Sequence, residues 1–465
     1  MRAERDRHAA VGQRRRISGR WRGAGAAAAA ALALAAVAAP ASAAGGYTVT
    51  ATIPVGSGPL GVAVDPSTHT VYVANGGDGT VSVINEATST VTATINVGAD
   101  PFGVAVDPST HTVYVTNDLD GTVSVIDAAT RTVTATIPVG SRPTAVAVDP
   151  AAGIVYVTNA DDGTVSVIDA ATNTVTATIH VGGNPDGVAV DPATHTVYAT
   201  VNVDDTVSVI DEATSTVTAT INGGSGPLGV AVDPATHTVY VADSGGSVSV
   251  IDAATLKLTA TLTVGFDPYG VAVDLAARIV YVANSEGGTV SVIDEATRTV
   301  TATIGVGAAP LGVAVDPSTH VAYATSDFGD TVSVISATAA GPIVSGYRAT
   351  LCVADRGDSA ANDTPVTIAS CDASPSQNWT VTSSGTLQIN GKCLDIYRDE
   401  KTNKAPVELW TCTGGANQQW HSAAGRLVNP VSGKCLDDPR FSTTPGTQLD
   451  IYTCNGGANQ QWELP

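Results

Sequence analysis

The residues best suited to chemistry in this chain are its cysteines, histidines and carboxylates, and each set recurs at fixed intervals. The six cysteines form three sets: Cys352 and Cys371, Cys393 and Cys412, Cys435 and Cys454, each 19 residues apart. Six cysteines allow fifteen pairings, and the triplicated spacing favours one bridge within each set. Each such loop contributes about 3 kcal/mol in the chain-entropy account of disulfides. A Gln-x-Trp follows every set, as Gln377-Asn378-Trp379, Gln418-Gln419-Trp420 and Gln460-Gln461-Trp462. Five of the eight histidines, His69, His111, His195, His237 and His320, follow Asp-Pro-x-Thr. A group repeated once per unit is spread around an array, so these histidines read as turn residues, not as a catalytic or metal cluster. The repeated Asp65, Asp107, Asp149, Asp191, Asp233 and Asp316 read as carboxylates that cap turn backbone. There is no G-x-S-x-G elbow, H-E-x-x-H, Walker loop or C-x-x-C. No catalytic residue, metal site or cofactor is assigned on these grounds.

These residues sit on a repeat. Val-Ala-Val-Asp begins at Val62, Val104, Val146, Val188, Val230, Val271 and Val313, a period of 42 or 41 residues. Each unit has four segments, which in the first are GVAVDP (61–66), TVYVAN (70–75), TVSVIN (80–85) and TVTATI (90–95). All alternate at period two, the mark of a strand, and Asp-Pro, Asn-Gly-Gly or Asp-Gly turns separate them. No segment has a 3.6-residue period, so helical solenoids are excluded. Four short strands per unit predict a propeller blade. The seventh unit ends at Val334-Ile335 without a fourth strand, and the missing one stands at Tyr47-Thr48-Val49-Thr50-Ala51-Thr52-Ile53. That N-terminal strand is expected to complete the last blade, closing a ring and hiding its sheet edges.

The repeat resembles the YVTN-type β-propeller family over about residues 47–340. Tyr114-Val115-Thr116-Asn117 and Tyr156-Val157-Thr158-Asn159 carry the motif, with Tyr72-Val73-Ala74-Asn75 and Tyr281-Val282-Ala283-Asn284 as close variants. The resemblance implies seven blades and says little about activity, since propellers host many chemistries. The loop before each GVAV strand is expected at the mouth of the central channel. Its Pro is flanked by Asp100 and Phe102, Arg142 and Thr144, Asn184 and Asp186, and Asp267 and Tyr269 in blades two, three, four and six. Asp100, Arg142, Asp186, Asp267 and Tyr269 are candidates for binding a protein or small polar ligand. The plainer reading is solvated turn residues. A second loop set pairs Asp118 with Asp120, Asp161 with Asp162, Asp204 with Asp205, and Asp327 with Asp330. Each pair is on a separate blade without EF-hand spacing, so no calcium is assigned.

The C-terminal part, with its three cysteine sets and three Gln-x-Trp motifs, resembles the ricin B-type lectin domain, a β-trefoil also classed as a family 13 carbohydrate-binding module. In that family the motif tryptophans usually face the core, so Trp379, Trp420 and Trp462 read as packing. Family sugar sites use an Asp after Cys-Leu, an aromatic two residues before the second Cys, and an Asn-Gln before the core Trp. A carboxylate accepts from two hydroxyls, a ring stacks on a sugar's C–H face, and an amide donates and accepts. The resemblance implies Asp395, Trp410, Asn417 and Gln418 in the second repeat, and Asp437, Tyr452, Asn459 and Gln460 in the third. Glu408 and Asp450 stand where a Gln is frequent. The first repeat departs, with Ala354, Ala369 and Ser376 at these positions, and is expected to be a lobe without a site, although Asp355 is adjacent.

Composition narrows the partners. The formal net charge is −21, and only 14% of residues are charged. The first 43 residues hold eight Arg and two acids, so the remainder is more acidic still. Clustered positive charge is lacking, which argues against nucleic acid and anionic membrane as partners. Residues 1–43 read as a secretory signal peptide: an Arg-rich start, an Ala-rich run with Leu32, Leu34 and Val37, and Ala41-Ser42-Ala43 before the cut. Arg14-Arg15-Arg16-Ile17 leaves the export route open between the general and twin-arginine pathways. The expectation is a secreted, extracellular or cell-wall-associated, all-β protein without a membrane span in its mature form. It has a propeller at 44–340, a linker at 341–346 and a trefoil at 347–465. Its function is expected to be binding of polysaccharide or glycoconjugate, with the propeller as an interaction scaffold and no assigned enzyme activity. The alternative is a carbohydrate-active hydrolase or lyase with Asp100, Asp186 and Asp267 as acids and bases at the channel mouth.

Overall fold

A computed structural model describes residues 46–381 and 385–465. The signal peptide expected at 1–43 lies outside the described residues. Of the described residues, 51–336 form one compact unit, and 337–465 together with 46–50 form the second. Among the described residues the helices are short 3-10 turns and every longer element is a strand. No helix among them is long and apolar enough to cross a membrane.

The first unit holds seven four-stranded antiparallel sheets. Strand β1 (Tyr47–Pro54) precedes β2 (Pro59–Asp65), β3 (Thr70–Asn75), β4 (Thr80–Asn85) and β5 (Thr90–Asn96), and β2 to β5 form blade one in that order. Blade seven takes Val313–Asp316, Val321–Ser326 and Thr331–Ala337, and β1 supplies its fourth strand. The ring is therefore closed by the N-terminal strand, as the missing segment in the seventh unit required.

Blade stacking explains the pattern within each unit. β3 and β4 are buried on both faces, whereas β5, the outermost strand, exposes alternate residues. Tyr72, Val81 and Val83 of blade one meet Val113, Val115 and Ile126 of blade two. Ile53, Val332 and Val334 of blade seven meet Val71, Val73 and Ile84 of blade one. Each such side chain contributes about 1.5–3 kcal/mol through burial. At the channel the inner strands approach closely: a Cβ on Gly61 would lie 2.3 Å from the Phe102 carbonyl oxygen, so glycine is required there.

The Tyr-Val-Thr-Asn motif also has a physical role. Thr116 Oγ1 donates to the Thr144 carbonyl of the next blade at 2.9 Å. Asn117 Nδ2 donates to Thr122 and Ser124, and its Oδ1 accepts from Gly98 N at 3.0 Å. The motif thus ties blade to blade and strand to loop.

The second unit is a curled sheet of three similar lobes. Its disulfides are Cys352–Cys371, Cys393–Cys412 and Cys435–Cys454, one within each lobe. Trp379, Trp420 and Trp462 lie in one core with Leu351, Leu394 and Leu436. Their indole N–H groups donate to the carbonyls of Val353, Leu394 and Leu436 at 2.8, 3.0 and 3.0 Å. The stretch 341–346, read as a linker from its composition, holds strand Val344–Ser345, which pairs with Cys352 and with Trp462–Glu463. The preceding strand, Ala339–Gly341, pairs with Trp379–Val381. A ladder uses backbone groups, so Ala/Gly/Pro composition gave no sign of it.

Candidate functional site

Lobe two builds its site on two paired strands. Lys392–Ile396 runs antiparallel to Ala405–Thr411, with Cys393 opposite Trp410, Leu394 opposite Leu409 and Asp395 opposite Glu408. Side chains alternate along a strand. Leu394 and Leu409 enter the core, and Asp395, Glu408 and Trp410 share the other face with the disulfide. Asp395 is only 4% exposed. Its carboxylate accepts from Asn417 Nδ2 at 2.9 and 3.0 Å and from Gln418 Nε2 at 2.7 Å. Gln418 also donates to the Thr411 carbonyl and accepts from Thr413 N. A single amide thus joins the carboxylate to the turn beyond the disulfide. Burial pushes the Asp395 carboxyl up, while Gln418 and Asn417 pull it back. Glu408 is pushed up to about 7 by burial and by the charges of Asp363 and Asp395.

Lobe three repeats the arrangement. Asp437 lies opposite Asp450, and Cys435 opposite Tyr452. Asn459 Nδ2 and Gln460 Nε2 donate to Asp437 Oδ1 at 2.9 and 2.8 Å. Gln460 is tied to Thr453 and Asn455 as Gln418 is to Thr411 and Thr413. Asp450 is pushed up to about 7 by burial and by Asp437. Trp410 and Tyr452 remain half-buried at the edges of their sites.

Lobe one keeps the scaffold but lacks the carboxylate. Gln377 still donates to the Ser370 carbonyl and accepts from Asp372 N. Ala354, opposite Thr367, stands where Asp395 does, and Ala369 stands opposite Cys352. Asp355 is buried and serves its own loop, accepting from Asp358 N at 2.9 Å and Asn390 Nδ2 at 2.8 Å.

The propeller-mouth candidates divide. Phe102, Asp186 and Tyr269 line a cavity of about 150 Å³ in the central channel, with the inner-strand glycines and valines. Tyr269 Oη donates to Asp186 Oδ1 at 2.9 Å, and the rings of Phe102 and Tyr269 lie 6.2 Å apart. Asp100, Arg142 and Asp267 do not line that cavity. Their φ values of 51–52° place them in the left-handed turn before the Pro. Arg142 pairs with Asp161 at 2.9 Å and Asp118 at 3.4 Å. The second acidic set holds loops: Asp120, Asp162 and Asp204 accept from the backbone of Ala99, Ser141 and Gly183.

The repeated carboxylates cap turns, as Asp65 does for Ser67 N at 3.0 Å and Asp149 for Ala151 N at 2.8 Å. The turn histidines do more than the repeat suggested. His111 Nδ1 reaches Asp65 of the preceding blade at 2.8 Å, and His320 reaches Asp274 at 2.7 Å. At two junctions a glutamate joins them, Glu86 or Glu212. Sequence reasoning passed over these two, although both stand where blades two, three and five carry Ala128, Ala170 and Ala253.

Residues 339–464 match the ricin-type beta-trefoil lectin domain, and residues 26–145 and 135–246 match the YNCE-like beta-propeller. None of the curated proteins compared matches the chain. Among solved structures, a chain of Kuenenia stuttgartiensis hydrazine synthase is similar at 22% identity and a TM-score of 0.55. The match covers 60% of this chain and 95% of that one, a likeness of fold alone. The lectin domain suggests carbohydrate binding and the propeller a scaffold. The chain thus holds a seven-bladed propeller similar to the YNCE-like β-propeller over residues 26–246, followed by a trefoil-like sheet similar to the ricin-type lectin domain over residues 339–464.

Proposed function

We propose that this is a secreted glycan-binding protein whose trefoil lobes two and three each bind a sugar of a polysaccharide or glycoconjugate. On this reading residues 1–43 are removed on export and the propeller serves as an interaction scaffold. The disulfides are consistent with an oxidising, extracellular setting. The observation that carries the proposal is the carboxylate held twice in one manner, Asp395 by Asn417 and Gln418, and Asp437 by Asn459 and Gln460. A carboxylate fixed before the ligand arrives loses little freedom on binding. Its remaining lone pairs accept from vicinal hydroxyls while Trp410 or Tyr452 stacks on the ring. Two such sites on one domain raise avidity for a polymer.

The test is binding of the full chain to soluble and insoluble glycans beside an Asp395→Ala/Asp437→Ala variant. Circular dichroism establishes that the variant is folded. Binding lost in the variant supports the reading. No binding to any glycan, or binding the variant retains, overturns it.

A further inference from the structure

At two blade junctions the structure brings one turn histidine to two carboxylates from different segments. Between blades three and four, His195 Nδ1 lies 2.8 Å from Glu212 Oε2 and 3.8 Å from Asp149 Oδ2. Between blades seven and one, His69 Nδ1 lies 3.2 Å from Glu86 Oε2 and 2.9 Å from Asp316 Oδ2. In each set the three potential ligand atoms lie within 4.8 Å of one another. The carboxylates of the first set are buried, but the His195 side chain is 61% exposed, so solvent reaches the site. Glu212 accepts from Tyr156 Oη through its other oxygen, and Asp149 Oδ1 accepts from Ala151 N and Ala152 N. Asp149 Oδ2 faces the cluster without a hydrogen-bond partner. A buried carboxylate oxygen in that state calls for a cation.

The repeat contains its own control. Blade six has Arg278 at the histidine position and Glu295 at the glutamate position, and Arg278 Nε meets Glu295 Oε2 at 3.0 Å. Tyr240 Oη donates to Glu295 Oε1 at 2.8 Å, as Tyr156 does to Glu212. In that junction a guanidinium supplies a permanent positive charge. Blades two and five keep His111 and His237 but carry Ala128 and Ala253 in place of the glutamate, and each of these histidines meets a single Asp.

We propose that Asp149, His195 and Glu212 bind a divalent first-row transition ion of the Zn²⁺ type, and that Asp316, His69 and Glu86 form a second copy of this site. Donors around tetrahedral zinc lie about 3.4 Å apart, given bonds of about 2.0–2.2 Å; the 2.8 and 3.8 Å at His195 bracket that value, and the 2.9 and 3.2 Å at His69 fall short of it by a few tenths of an ångström. One imidazole nitrogen beside two carboxylates suits zinc, cobalt or manganese better than the all-oxygen sites of calcium and magnesium. Nδ1 is the ligand atom and Nε2 keeps its hydrogen. The ion joins the end of one blade's inner strand to the next blade, so its uptake stiffens the ring.

The untagged full chain, stripped with chelator, is titrated with ZnCl₂ by calorimetry and with CoCl₂ by visible absorption. Two equivalents and a cobalt d–d band are expected. His195→Arg removes one equivalent and His69→Arg/His195→Arg removes both, a loss of at least about tenfold in affinity per site, since even outer-shell changes cost that much. Arg278 adopts φ 59° where His195 has 53°, so arginine fits that turn. If His195→Arg does not fold, Glu212→Ala, the residue of blades two, three and five, gives the same readout. His111→Arg leaves the count at two. No uptake, or uptake retained by the double variant, overturns the proposal. A melting temperature that ignores zinc but falls as pH rises through the histidine range overturns it as well, and identifies a proton as the cation.

Discussion

The propeller and the trefoil are both built from units of about 42 residues, but they are held by different means. The propeller has no cysteine and closes through backbone ladders, Val/Ile layers between blades and histidine–aspartate contacts at blade junctions. The trefoil has one disulfide per lobe and a single core around three tryptophans. A large ring buries many strand faces, whereas a domain of some 120 residues has less surface to bury per residue and gains more from cross-links. Irregularities therefore mean different things in the two regions. In the trefoil, a lobe that departs has lost the carboxylate at the centre of the other two. In the propeller, blades one, four and six carry a glutamate at a junction where blades two, three and five carry alanine.

The largest expected effect breaks this contrast at the cross-links. Reduction of the disulfides should remove about 3 kcal/mol per bridge from the trefoil and leave the propeller's melting transition in place. Calorimetry with and without reductant reads both transitions, and a propeller transition that moves equally would show that the difference is not real.

Ring closure comes next. Ile53 is 2% exposed on the strand that completes blade seven. Ile53→Ala should lower propeller stability by about 2–5 kcal/mol without moving the trefoil transition. Ile137→Ala, at the matching place in blade two, serves as reference. A negligible effect at Ile53 would mean that the ring does not depend on its N-terminal strand.

A smaller effect tests one irregular blade. Asp243 takes the place that Asn75, Asn117, Asn159 and Asn284 hold elsewhere, and burial pushes its carboxyl up to about 6. Because the folded value lies above the unfolded one, the stability tied to its proton is present below about pH 4 and lost as pH rises to about 6. Asp243→Asn should therefore stabilise the protein at pH 7 by about 3 kcal/mol, at about 1.4 kcal/mol per pKa unit. The gain should vanish near pH 4. A gain that persists there would assign the effect to packing.

The smallest effect concerns the proposed sugar sites. Glu408, raised to about 7, carries a proton below that pH and is charged beside Asp395 above it. Sugar affinity at lobe two should fall a few-fold (~0.5–1 kcal/mol) between pH 6 and pH 8. Glu408→Gln should make the profile flat. An unchanged slope in that variant would move the titration to another group.

Much of this molecule was legible because its information is local. Period-two strands, turn residues and the period of Val-Ala-Val-Asp are set within a few residues, and the missing fourth strand of the seventh unit revealed closure. The lobe constellations came from the resemblance to the ricin B-type lectin family that the cysteine and Gln-x-Trp motifs carry. The amides that hold Asp395 and Asp437 come from turns 22 and 23 residues further on. What the repeat could not tell is which loop residues face the same space. Asp186 and Tyr269, 83 residues apart, meet in the channel, while Asp100, Arg142 and Asp267, equally plausible by position, do not line it. The histidines read as isolated because each is alone within its own turn. Only the stacking of blades sets His195 beside an aspartate from one blade and a glutamate from the next strand pair. Backbone pattern determined the ring and its lobes. Tertiary structure decided which side chains share a site, because that depends on contacts between segments whose separation in sequence carries no local signal.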